Sequence, residues 1–351
     1  MGICPRAVAP IFSLRFTGFN MESLIFAFGA VAPIIFTVAL GYFLKKIGLL
    51  PLSLTKPINK LVFRVLLPCM LFLNVYNIGD FSSIDARYII YAVVAVIVIF
   101  VLALPITLLV TKDNSMRGPM LQCSFRSNYA LIGIPLAISL CGEEAGALAT
   151  ILSAVSIPAF NILAVISLTV FDRTGKGFNI KRIVLGIVKN PLILSIALGF
   201  VAFFIKRMLA DRGVNVEYSS TDKNLYTAIY TTVEYMSRSA TPIALLVLGA
   251  QFEFSAIKSM RREIITGVLM RNLFTPIIGL CCTMFFDFLN PIHYACLVAL
   301  FSTPVAVSSV PMAQEMGANA EYAGQMVVFT TLFSSISIFV AVAILKSVGI
   351  F

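Results

Sequence analysis

The sequence predicts an all-α membrane protein of ten transmembrane helices, arranged as two inverted five-helix repeats with helices four and nine broken where they cross. Three observations predict it. Hydrophobic residues make up 59% of the chain and charged residues 12%, with a mean hydropathy of +0.97, too little polar surface to coat a soluble globule of 351 residues. Apolar runs recur at the roughly 20-residue length that spans a hydrocarbon core of about 30 Å, and the short alternating segments of a membrane barrel are missing. Helix breakers fall at matching places in the two halves.

The apolar windows are 22–44, 57–79, 87–111, 118–141, 145–171, 190–210, 224–251, 263–287, 293–315 and 320–346. Residues 1–20 carry Arg6 and Arg15 around a proline-interrupted patch without a cleavage site, which reads as an N-terminal tail or an upstream start before Met21. The first repeat is then 21–171 and the second 190–351, joined by a connection over 172–189. In that connection Ile180, Ile183, Val184 and Ile187 lie at helical spacing, the pattern of an amphipathic segment at the membrane surface. The net charge of +10 belongs to short loops, so it sets orientation and does not point to nucleic acid. Thirteen Lys and Arg in one set of loops against eight in the other put both termini outside the cytoplasm. The implied location is a cytoplasmic membrane, crossed many times.

Pro68 matches Pro242, Pro105 matches Pro276, Pro135 matches Pro311 and Gly146 matches Gly324, at offsets of 174, 171, 176 and 178 residues. Proline and glycine are common in membrane helices, but four ordered matches in corresponding spans favour an inverted repeat, the plan of many secondary transporters.

Spans four and nine carry the most polar chemistry. One reads Asn128-Tyr-Ala-Leu-Ile-Gly133-Ile-Pro135; the other reads Thr303-Pro304-Val-Ala-Val-Ser308-Ser309-Val-Pro311. Aligned on Pro135 and Pro311, Asn128 falls opposite Pro304. Either segment alone reads as a plain proline kink. Two in matching helices suggest unwound backbone facing a cavity, with two half-helix N-termini offering amides and partial positive charge to an anion. Asn128 adds a neutral donor and acceptor there, and Gly133 and Pro311 shape the turns.

Charged residues inside spans need compensation. Arg64 and Arg271 are expected to snorkel to the interface, whereas Arg126, two residues before the break, is a candidate for the anion path. Glu234 and Arg238, four apart, are expected to pair; Glu234 is the alternative carrier of a coupled proton. Asn74, Asn161, Gln251 and Ser308 are further polar groups that either face a cavity or bind a neighbouring helix. The cysteines, without CxxC spacing, read as small packing residues. No metal or cofactor motif is present, and a lone histidine with no GxSxG or Walker sequence argues against an enzyme.

The segments Asn128–Pro135, Leu67-Pro68, Thr241–Gly249 and Ser302-Thr-Pro304 resemble the auxin efflux carrier family, from about Met21 to the C-terminus. The resemblance implies ten helices in two inverted repeats and a small carboxylate bound where helices four and nine cross. It places Asn128 on the crossover asparagine and Pro135 and Pro304 on the crossover turns, adds a polar contact from Asn161, and extends to assembly as a homodimer. The connection 172–189 is far shorter than the hydrophilic loop of plant members, which favours a bacterial permease for a mono- or dicarboxylate. The alternative is a sodium-coupled symporter of similar architecture for another solute; the mostly basic intramembrane charges favour the anion.

Overall fold

The computed structural model describes residues 21–77, 85–171, 180–212, 224–286 and 288–350. The tail 1–20 and part of the 172–189 connection lie outside the described residues. Within them the chain is helical, with no strand and one isolated antiparallel bridge between Ser127 and Val305. The helices are α1 Met21–Lys46, α2 Leu52–Tyr76, α3 Ala86–Val110, α4 Asn114–Phe125, α5 Tyr129–Val170, α6 Ile180–Val188, α7 Pro191–Asp211, α8 Leu225–Gln251, α9 Ser255–Ser259, α10 Arg261–Cys281, α11 Pro291–Ser302, α12 Ser309–Glu315 and α13 Ala320–Ser347.

Helix occupies each of the ten apolar windows. Among the described residues six stretches, α2, α3, α5, α7, α10 and α13, are long and apolar enough to cross a membrane. On α3 the buried residues Tyr88, Tyr91, Ala92, Ala95, Val96, Ile99, Ala103 and Thr107 recur every three or four positions. The opposite face shows Ile90, Val94, Val101 and Leu109. Such exposed apolar stripes have no place in water, so the molecule is a multi-pass membrane protein.

Prolines leave a local signature. Five-residue π-turns at Val62–Leu66, Tyr129–Gly133 and Met270–Phe274 each end two residues before a proline, Pro68, Pro135 and Pro276. A proline ring clashes with the carbonyl four residues back and donates no hydrogen bond; one wide turn relieves both and keeps the helix continuous. Windows four and five are separated only by a kink in α5. Cys141 and Gly142 leave helical geometry there, Gly142 at φ 77°, a left-handed value that glycine adopts without strain.

The helices pack in two groups. In one, α1 packs on α8, and α2 on α7 and α8. The closest approach is between α1 and α8, where a Cβ on Gly249 would be driven into the Val38 carbonyl and one on Gly41 into that of Leu246. In lipid the apolar effect between helices is weak, so this small-residue contact holds by close van der Waals packing. In the other group α4, α5, α10, α11 and α13 surround one another, with α3 on α4, α5 and α10. α12 belongs to this second group through α13 and also touches α2 of the first.

α6 confirms a helix over Ile180–Val188, and it packs on α5. The cysteines divide: Cys123 and Cys296 are buried, as packing residues should be, whereas Cys281 and Cys282 are exposed at the end of α10.

Candidate functional site

Two helices stop at the same level of the second group. α4 ends at Phe125 and resumes as α5 at Tyr129; α11 ends at Ser302 and resumes as α12 at Ser309. The extended segments between them pair antiparallel. The Asn128 amide donates to the Pro304 carbonyl at 2.9 Å and the Ala306 amide to the Arg126 carbonyl at 3.1 Å, flanking the Ser127–Val305 bridge. The two residues that sequence alignment set opposite one another are thus hydrogen-bonded. Side chains tie the break further: the hydroxyls of Ser127 and Thr303 are 2.6 Å apart, and the Val305 amide donates to Thr330 Oγ1 on α13. Unpaired backbone at membrane depth would cost several kcal/mol per group, and mutual pairing removes much of that cost.

Arg271, expected to snorkel, is fully buried instead. Its guanidinium donates to the carbonyls of Phe125, Leu300 and Thr303, with distances of 3.2 Å to Phe125 and 2.9 Å from Nε to Thr303. These carbonyls close α4 and α11. The Leu300 carbonyl would ordinarily accept from residue 304, a proline with no N–H. The two helix C-termini each carry roughly half a negative charge, so one guanidinium between them balances both. Snorkelling fails because this neutralising partner is inside, while Arg64 does reach an exposed position and pairs with Glu315 at 3.3 Å.

Arg126 has no such balance. It is buried, and its guanidinium donates to Asn161 Oδ1 at 2.7 Å and Gln122 Oε1 at 3.4 Å and contacts Met312 Sδ at 3.0 Å. All three are neutral. Among the described residues the fully buried polar side chains include Arg126 and Arg271 but no aspartate or glutamate. Nearby, Asn128 is 9% exposed and its side-chain nitrogen is buried without a partner; the side chain does not cap α5, whose first amides have no intrahelical acceptor.

The second expected N-terminus differs. In α12 the Ser309, Val310 and Met312 amides donate to the carbonyls of Ala306, Val307 and Ser308, and Pro311 has no amide, so α12 offers no free donors. The preceding chain curls into turns that satisfy them. Ser308 is half-buried and leaves the helix uncapped; Pro304 and Pro311 are buried; Gly133 is buried against the Tyr129 ring; Pro135 is exposed.

Beside the break lies a cavity of about 460 Å³, with Ala130 and Leu131 of α5 on one wall and α1, α2 and α8 on the others. Thr37, Asn74, Ser237, Arg238 and Thr241 give it polar groups. Asn74 Nδ2 is buried and unpartnered, and Arg238 pairs with Glu234 at 2.7 Å as its spacing predicts. About 20 Å away along α2 and α8, measured at 1.5 Å per residue, the two helix groups are fastened by a polar cluster. Asn59 donates to the side-chain carbonyls of Gln251 and Gln314 at 3.2 and 2.8 Å, and Gln251 donates to Gln314 and Thr55, both at 3.1 Å. Sequence reasoning named Gln251 but missed Asn59 and Gln314. It also missed Gln122, although its position one turn before Arg126 was a usable signal.

Comparison with protein families matches residues 26–342 to the family described as membrane transport protein. Among curated proteins none matches the chain. The match covers both packing groups and the paired break, and this multi-pass membrane protein therefore belongs to that transport family, the auxin efflux carrier family.

Proposed function

We propose that the chain is a secondary transporter that carries a small organic anion, a mono- or dicarboxylate, across the bacterial cytoplasmic membrane by alternating access. The observation that carries this reading is the electrostatic imbalance at the paired break. Arg271 is offset by two helix C-termini, whereas Arg126 has only neutral partners and lies beside an α5 N-terminus that adds positive potential. A buried unit charge of this kind costs several kcal/mol, and a bound carboxylate would relieve it. The unpartnered Asn128 amide nitrogen would supply a hydrogen bond to the same anion. Asn161 holds the Arg126 guanidinium in place; Pro135, Pro304, Ser308, Gly133 and Pro311 shape the turns around it.

Ten crossings, in inverted repeats of 21–171 and 190–351 joined by 172–189, accommodate the helices, with α4–α5 and α11–α12 as the crossing pair. Alternating access is supported by the asymmetry between the two ends: a cavity beside Leu131 at one, the Asn59–Gln251–Gln314 cluster at the other. With both termini outside, the cavity opens outward and the cluster closes the cytoplasmic side. Glu234 is placed to carry a proton if coupling is to the pH gradient, because its ion pair with Arg238 borders the cavity.

Uptake of radiolabelled malate, malonate, lactate and indole-3-acetate into proteoliposomes, with and without a pH gradient and sodium, tests the proposal. Saturable uptake of one acid supports it. Sodium-dependent flux of a different solute, with no acid taken up, replaces it with the cation-coupled symporter.

A further inference from the structure

Outside the break, a groove of about 570 Å³ runs between α10 and α13 on the outer surface of the second helix group. Its walls are apolar. Ile265, Leu269 and Leu273 on α10 face Phe333 and Ile336 on α13, and all five are exposed. The two polar residues within it turn their donors to the walls, Asn272 Nδ2 to the Thr330 carbonyl and Ser337 Oγ to that of Asn272, which leaves Asn272 Oδ1 as a buried acceptor without a partner. The groove therefore offers a ligand an almost purely hydrocarbon surface.

One end is different. Arg261 lines the mouth, is exposed, and forms no ion pair with any described residue. Lys258, on the separate short helix α9, is also exposed, while Arg262 is turned aside to the Leu109 carbonyl. From Arg261 to Leu273 the groove measures about 18 Å at 1.5 Å per residue, close to one leaflet, half of a hydrocarbon core of about 30 Å plus its interface. A chain-length apolar slot with a basic head at interface depth matches one class of molecule.

We propose that this groove is a binding site for an anionic phospholipid, one acyl chain lying between α10 and α13 and the phosphate held by the Arg261 guanidinium. Arg suits the headgroup because its planar fork binds phosphate oxygens two at a time. The site is independent of the transported substrate and of the paired break.

The absence of tryptophan from the chain gives a direct test. Phe333→Trp places a single tryptophan in the groove, and Val101→Trp places one on the exposed face of α3 as a control for lipid that merely surrounds the protein. Each variant is reconstituted in bilayers mixing phosphatidylglycerol and phosphatidylcholine, with the bromine label on the acyl chains of one or the other. Quenching should show about a fivefold preference for phosphatidylglycerol at Phe333→Trp, the gain one surface cation gives, and none at Val101→Trp. Adding Arg261→Gln to Phe333→Trp should remove the preference. Equal quenching by both lipids in the groove means ordinary surrounding lipid and overturns the proposal. Lack of quenching by either also overturns it and points to a second copy of the chain covering the groove.

Discussion

Two arginines are buried at the paired break, and the same substitution should cost stability at one and transport at the other. Arg271→Met deletes a charged donor serving the Phe125, Leu300 and Thr303 carbonyls. Hydrogen bonds to charged groups contribute about 1.5–3 kcal/mol each, so three acceptors lose roughly 5–9 kcal/mol in gross terms. The cost of burying the guanidinium, several kcal/mol, is recovered. A net loss of about 3 kcal/mol remains, because the two helix C-termini are left facing each other and the Leu300 carbonyl has no proline amide to fall back on. Arg126→Met releases only side-chain acceptors, Asn161 and Gln122, which can re-orient, and it recovers the same burial cost. Its stability should stay within about 1 kcal/mol of the parent, while transport is lost. Equilibrium unfolding in mixed detergent micelles measures the first quantity and proteoliposome uptake the second. Equal stability of Arg271→Met and the parent would refute the assignment of Arg271 as the clasp between the two helix ends. Arg271→Lys should recover only part of the loss, since one ammonium cannot span three separated carbonyls.

Further outcomes follow from other contacts. Asn128→Ala removes an unpartnered nitrogen and leaves the backbone bond to Pro304, so expression and unfolding should be unchanged while binding of the transported acid is abolished; calorimetric titration with that acid decides it. Gly249→Ala drives a methyl group into the Val38 carbonyl, and separating α1 from α8 should cost about 1–3 kcal/mol, read as a lowered unfolding midpoint. Gln314→Leu removes the acceptor shared by Asn59 and Gln251. At about 1 kcal/mol per bond, loss of the two bonds should shift the balance toward the opposite opening roughly thirtyfold, seen as slower maleimide labelling of Ser237→Cys in a cysteine-free background.

The sequence carried the helices and the level of the break. Apolar length located each window, and the breakers Pro135, Pro304 and Pro311 with Asn128 marked where two helices would stop, because proline and membrane depth act locally. The Glu234–Arg238 pair was legible for the same reason: its partners are one turn apart. Contacts that join distant segments were not. Arg271 looked like any arginine two turns from a helix end; only the meeting of α4 with α11, at Phe125 and Thr303, gives it a reason to be buried. Asn59 and Gln314 are 255 residues apart, and nothing local to either signals the other. The expectation of two donor-rich helix starts failed at α12 because turns at Ala306 and Val307 had already used its amides. By itself the sequence determined that the chain lives in lipid, where its helices run and which of them break, since these follow from hydrophobicity and backbone chemistry within a few turns. Which charges are neutralised, which end of the cavity is fastened and which polar groups are left waiting for a partner were decided only by tertiary structure, because charge balance depends on distances between segments that the sequence keeps far apart.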